Sequence, residues 1–245
     1  MENKKYEMLM DDSVTVEYEN ETHTLYRIRA LRDFGNISKG TIGGYIESEK
    51  NLSHNGNCWV EGNAKVYGDA CVYENAWVSG EAKLYGSAEV YGDAEVYGMA
   101  DVYGNACVYD NARIYDNAWA HGTSVVRGSA EVYGDAGVHG LADVHGDACV
   151  GDNAEVYGTT EVYGVAEVVG EATVRGEEDY IVFKNWWSSG RYFTWTRSNN
   201  MWKVGCFYGT GEELIKKAYA DSERSGREYE RIVKYVEEIV RDEKE

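Results

Sequence analysis

Proline is missing from all 245 residues. Its absence excludes the stiff proline-rich linkers that space independent modules. Long apolar runs are missing too, and none approaches the roughly eighteen residues of a membrane-spanning helix. Met1 opens the polar stretch Glu2-Asn3-Lys4-Lys5, which carries no secretory signal, so a cytoplasmic location is expected, in the bacterial host. The five cysteines (Cys58, Cys71, Cys107, Cys149 and Cys206) are odd in number and form no Cys-x-x-Cys pair. That argues against a disulfide framework and for reduced thiols. Positive charge is scarce, with 24 Lys and Arg against 43 Asp and Glu, a formal net charge of −19. Phosphate contacts need Lys and Arg, so the acidic body is not expected to bind duplex nucleic acid or anionic membranes directly. A basic cleft on another protein is compatible with it.

What the chain has in abundance is one six-residue phrase, repeated from about Val60 to Arg175. Val90-Tyr91-Gly92-Asp93-Ala94-Glu95 is followed at once by Val96-Tyr97-Gly98-Met99-Ala100-Asp101. The first slot holds Val, Leu or Ile, broken only by Ala120; the fifth holds Ala, with Ser124 and Thr160 as small substitutes. A short fixed period signals a stacked, quasi-one-dimensional architecture. Slots five and one flank slot six, so on a strand they share one face, the interior, and slot six points to water. Slots three and four are mostly Gly-Asp, Gly-Asn, Asp-Asn or Gly-Ser, residues that bend a chain. One coil is not stable alone. Each ordered residue costs about 1–2 kcal/mol of backbone entropy, whereas a buried Val returns about 1.5–3 kcal/mol. Stacking has to supply the difference, and the ends of the stack need covers.

The phrase resembles the hexapeptide repeat of left-handed parallel β-helix proteins, and Val150-Gly151-Asp152-Asn153-Ala154-Glu155 matches it fully. Most other units place Tyr in slot two and delay the Gly by one position. The resemblance implies a left-handed triangular prism with three hexads per coil and residues eighteen apart stacked. The phrases Arg29-Ala30-Leu31-Arg32-Asp33-Phe34-Gly35-Asn36, Gly43-Gly44-Tyr45-Ile46-Glu47 and Asn51-Leu52-Ser53 further resemble the N-terminal signature of uncharacterised hexapeptide-repeat proteins from prophages and enterobacteria. With the repeats, that likeness covers about residues 6–176.

The expected fold is mainly β, in three segments. Residues 1–43 form a cap, with Val14–Tyr18 and Thr24–Arg29 as a hairpin around Glu19-Asn20-Glu21. Residues 44–176 form the β-helix. Residues 177–245 form a small aromatic-rich α+β domain with three strands, within 180–183, 191–196 and 201–207. Its first helix opens at the capping box Thr210-Gly211-Glu212-Glu213, and a second runs near 223–241 with Tyr229, Ile232, Val233, Val236, Ile239 and Val240 on one face.

The candidate site residues lie in outward columns. Slot two stacks Tyr67, Tyr85, Tyr103, His121, His139 and Tyr157 on one face, Tyr73, Tyr91, Tyr109, Arg127, His145 and Tyr163 on a second, and Tyr97, Tyr115 and Tyr133 on a third. These rings either shield the corners or, as at many hot spots, meet a partner. Glu89, Asp143 and Glu161 share an acidic column; Glu95, Glu131 and Glu167 share another, with Arg113 between the first two. Such acids either keep the rod soluble or imitate the phosphates of a duplex. In the C-terminal domain Trp186, Trp187, Trp195 and Trp202 read as core, or in part as a recognition surface. Lys184, Arg191, Arg197 and Lys203 interleave with them, a pattern compatible with a nucleotide or single strand.

His121, His139 and His145 invite a metal or acyl-transfer reading, because the resembled family includes acyltransferases and zinc carbonic anhydrases. Zinc ligands must converge at about 2 Å, and His145 falls on a different face from the other two. The sequence therefore reads as a non-enzymatic phage-type binding protein without metal or cofactor, most concretely an inhibitor that occupies the basic cleft of a host defence or DNA-handling protein. The alternatives are an acyltransferase or zinc enzyme with sites between subunits, and a structural scaffold. A homo-oligomer, dimer or trimer, is compatible with each.

Overall fold

An aliphatic residue facing in, its neighbours facing out and a corner every six residues wind a chain into coils. The computed structural model, which describes residues 4–242, shows a parallel β-solenoid of about seven turns. After β3 (Ile42–Ile46), its rungs are two-residue strands, from β4 (Trp59–Val60) through β23 (Thr173–Val174). They stack into three parallel ladders in which Val66 pairs with Leu84, Val72 with Val90 and Val78 with Val96.

The interior is the column of valines and alanines that the repeat requires. Val90, Val96 and Val102, with Ala94, Ala100 and Ala106, are all 0% exposed. The backbone donors between them go to the next coil: Tyr67 N–H donates to Leu84 O at 3.0 Å, Asp69 N–H to Gly86 O at 2.7 Å and Cys71 N–H to Ala88 O at 2.9 Å. Burial of the aliphatics thus leaves few polar groups unpaired.

Corners are made by positive φ at slot three, for example 71° at Gly92 and 73° at Gly98. Glu74, Asp110, Asp116 and Asp152 adopt the same conformation, at φ of 59°, 60°, 60° and 58°. Each sends its carboxylate to the slot-three N–H one coil later, accepting from Gly92 at 2.9 Å, Gly128 at 3.1 Å, Gly134 at 3.3 Å and Gly170 at 3.0 Å. Those four amides have no backbone acceptor among the described residues, so an acid here satisfies a donor the ladder omits.

The N-terminal hairpin is longer than its hydrophobic alternation suggests. Strand β1 (Tyr6–Tyr18) pairs antiparallel with β2 (Glu21–Ala30), with an irregularity between Leu9 and Ser13. Glu19 and Asn20 turn the chain at φ of 51° and 65°, the two-residue geometry that matches strand twist. β2 then pairs antiparallel with β3, and β3 pairs parallel with Lys65–Val66, so the hairpin continues one wall of the solenoid. At this end Lys5 is fully buried, donating to Cys58 O at 2.8 Å and Cys58 Sγ at 3.1 Å. Burial lowers the Lys5 pKa and raises that of Cys58, which leaves both closer to neutral.

The C-terminal region is an antiparallel sheet with two helices. It contains four strands where the sequence suggested three: β24 (Tyr180–Lys184), β25 (Tyr192–Thr196), β26 (Met201–Val204) and β27 (Phe207–Gly209). The run expected as one strand over 201–207 is split at Gly205, whose φ of 56° reverses the chain. Helices α1 (Gly211–Asp221) and α2 (Glu223–Asp242) follow. Thr210 caps α1 as expected, accepting from Glu213 N–H at 3.3 Å.

This region also closes the last coil. Thr194 Oγ1 accepts from Glu167 N–H at 2.9 Å, Ser198 Oγ accepts from Thr173 N–H at 2.7 Å, and the Tyr180 hydroxyl donates to Glu161 O at 3.1 Å. The Thr194 and Ser198 oxygens therefore answer donors, and the Tyr180 hydroxyl a carbonyl, that would otherwise present an open sheet edge. Among the described residues, no helix is long and apolar enough to cross a membrane.

Candidate partner-binding surface

The slot-two rings lie in three columns, as the eighteen-residue spacing implies. Tyr67, Tyr85 and Tyr103 stack at centroid distances of 5.1 and 4.9 Å, nearly parallel. Tyr73, Tyr91 and Tyr109 stack at 4.8 and 4.9 Å, and Tyr97, Tyr115 and Tyr133 at 5.0 and 5.6 Å. The strand spacing sets this repeat. Tyr91 and Tyr115 have a ring against each π face and so offer mainly edges and hydroxyls to a partner, whereas Tyr97 and Tyr109 have a stacked ring on one side. Two hydroxyls already donate to acids one rung on: Tyr73 to Glu89 at 2.8 Å and Tyr115 to Glu131 at 3.2 Å. Burial, with Glu131 adding, raises the pKa of Tyr115.

The acidic columns are less open than the sequence suggests. Glu131 pairs with Arg113 at 2.9 Å, Asp143 with Arg127 at 2.9 Å, Glu167 with Lys203 at 3.6 Å, and Glu161 lies 3.8 Å from His145 Nε2. Cys107 and Val125 separate Glu89 from Asp143, and Cys149 separates Glu131 from Glu167. Of the six nominated acids, Glu89, Glu95 and Glu161 are exposed while Glu131, Asp143 and Glu167 are half-buried. The three exposed ones stand on two-residue strands that cannot swing away, so their positions are fixed by the ladder.

The histidines are members of ring columns. His121 stacks on Tyr103 at 4.7 Å and on His139 at 5.1 Å, and His139 continues to Tyr157 at 4.7 Å. His145 is on another face, stacked on Tyr163 at 5.6 Å. The three therefore do not converge, and among the described residues no group of three or more His, Cys, Asp or Glu has the geometry to hold a metal ion. Burial and then the neighbouring His139 lower the pKa of His121, favouring the neutral ring. Trp119 lies beside both, 5.2 Å from His121 and 5.3 Å from His139.

In the C-terminal domain the tryptophans divide. Trp187, Trp195 and Trp202 are 7%, 1% and 1% exposed and build the core with Phe193, Tyr229 and Val233. Trp187 and Trp195 thus belong to the interior, which corrects their nomination as partner contacts. Trp186 is 67% exposed, with the Arg224 guanidinium 5.9 Å from its ring. The basic residues divide likewise. Arg197 lies 4.0 Å from Asp179 and Lys203 pairs with Glu167, whereas Arg191 is exposed at the start of β25. Sequence spacing alone carried no signal for this division.

Comparison with models of known families finds no match, and comparison with curated protein sequences finds none either.

Proposed function

We propose that this chain is a non-enzymatic, phage-type binding protein, a left-handed β-helix whose acidic shaft occupies the basic cleft of a host defence or DNA-handling protein. The observation that carries this reading is the fixed presentation of exposed Glu89, Glu95 and Glu161 on an uninterrupted eighteen-residue lattice in a chain of net charge −19. Rungs about 4.8 Å apart hold such charges without the entropy cost of ordering a flexible acidic segment. Tyrosine hydroxyls beside them supply directional hydrogen bonds. The internal pairing of Glu131, Asp143 and Glu167 makes these acids scaffold, and moves the expected contact to the exposed three.

The test is affinity capture from a bacterial host lysate with the wild-type chain and with Glu89→Lys, Glu95→Lys and Glu161→Lys combined. A basic partner retained by the first and lost by the second, at unchanged thermal stability, supports the proposal. Undiminished retention by the charge-reversed chain eliminates it.

A further inference from the structure

A stacked ring column has to end, and its last member has no further ring against one face. The three columns end differently. The column running to Tyr157 ends under Arg175, whose guanidinium carbon lies 5.4 Å from the Tyr157 centroid. The column running to Tyr133 ends with that ring over Gly151, where an added Cβ would meet Tyr133 Cζ at 2.2 Å. The third ends at Tyr163, which stacks on His145 with one face and is 50% exposed. Among the described residues no ring or cation covers its other face.

Tyr163 instead borders a cavity of about 540 Å³ between the last coil and the C-terminal sheet, together with Tyr180, Tyr192, Glu177, Ile181 and Val182. That volume and an apolar wall with few polar groups are typical of small-ligand sites. Tyr192 is itself 43% exposed, so two of the chain's most exposed aromatic rings meet here. Lys184 Nζ lies 5.2 Å from the Tyr192 centroid, so that ring already accepts a cation. Burial pushes the Tyr180 phenol up to about 12, and the nearby Glu177 and Glu161 carboxylates add to the shift. The cavity is therefore walled by aromatic rings, with Glu177 as the acid in its lining and the Lys184 ammonium against Tyr192.

We propose that this cavity binds a weakly hydrated organic cation, a guanidinium or quaternary ammonium head. The bare face of Tyr163 is its platform, Tyr180 and Tyr192 are its walls and Glu177 is its counter-charge. The ring quadrupole attracts such a cation, and a head with little hydration loses little on entry. The Arg175 closure of the Tyr157 column is the same interaction made within the chain. This inference is independent of the acidic shaft's partner.

Calorimetric titration of the full chain with choline, with arginine amide and with the neutral tert-butyl analogue of choline tests it. Saturable binding of at least one cation at about 1 mM or tighter is expected, with the neutral analogue markedly weaker. Tyr163→Ala, Tyr163→Leu and Glu177→Gln should each weaken the cation by roughly 3- to 30-fold. The leucine variant keeps apolar bulk and removes the π face. Preference for choline identifies a free small molecule as the source, and preference for arginine amide identifies a partner's side chain. Absence of cation binding, equal affinity for the neutral analogue, or wild-type affinity in Tyr163→Leu overturns the proposal.

Discussion

The indole of Trp119 occupies the space in which a side chain at Gly137 would begin. A Cβ added at Gly137 would lie 2.2 Å from Trp119 Cζ2, and the two residues are direct partners on neighbouring rungs. Slot six of this wall therefore carries the largest side chain and the smallest in succession. Gly137→Ala should destabilise the chain by about 1–3 kcal/mol through overpacking. In a Trp119→Ala background the same change should cost much less. Urea unfolding of the four chains gives the coupling, and additivity would refute the contact.

The corner acids support a second expectation. Asp110 holds φ at 60° and accepts from Gly128 N–H at 3.1 Å. Asp110→Ala loses that bond and puts an ordinary side chain in a left-handed conformation, at a cost of about 1–3 kcal/mol. Asp110→Gly loses only the bond and should be the milder variant. Thermal unfolding distinguishes them, and equal melting temperatures for all three chains would count against this role.

The closed end should be equally sensitive. Thr194→Val and Ser198→Ala remove the acceptors for Glu167 N–H and Thr173 N–H, each leaving a donor without its partner at about 1–3 kcal/mol. The double variant should also expose a pairing edge. Concentration-dependent species in analytical ultracentrifugation, absent from the wild type, are the expected result.

Alkaline pH should unfold the chain by way of its tyrosines. Burial holds the Tyr67, Tyr133 and Tyr180 phenols up to about 12 in the folded state, against an ordinary value of 10.0. The unfolded chain releases those protons first, so stability is full below pH 10, falls as pH rises from about 10 to 12, and then levels. Urea midpoints should accordingly be insensitive to these groups at neutral pH and decline above pH 10. A midpoint unchanged at pH 11.5 would contradict the burial of these phenols.

Thiol chemistry offers a fifth check. Cys206 is exposed and Cys58 is buried, and burial, with Glu131 and Glu167 adding, raises Cys149 to about 11. A thiol reagent at pH 8 should modify Cys206 first and spare Cys58 until the chain unfolds. Mass mapping of the modified residues reads the order.

Much of this protein follows from a local rule applied many times. Val at slot one, Ala at slot five and Gly or Asp at slot three fix an inward face and a corner within six residues, so coil length, stacking partners and ring columns were legible without coordinates. The hairpin turn at Glu19-Asn20 and the Thr210 cap were legible for the same reason, since each depends on neighbours in the chain. Other features depend on residues that the chain brings together from a distance. Gly205 splits an apparently continuous strand, Trp195 turns inward while Trp186 stays wet, and Glu167 finds Lys203 of the C-terminal sheet. The Tyr163 cavity exists only because the C-terminal sheet meets the last coil at that place. Periodicity determines what repeats; the end of a column, the fit of one side chain over another and the pairing of charges are set by packing in three dimensions, where a single neighbour decides whether a ring is covered or bare.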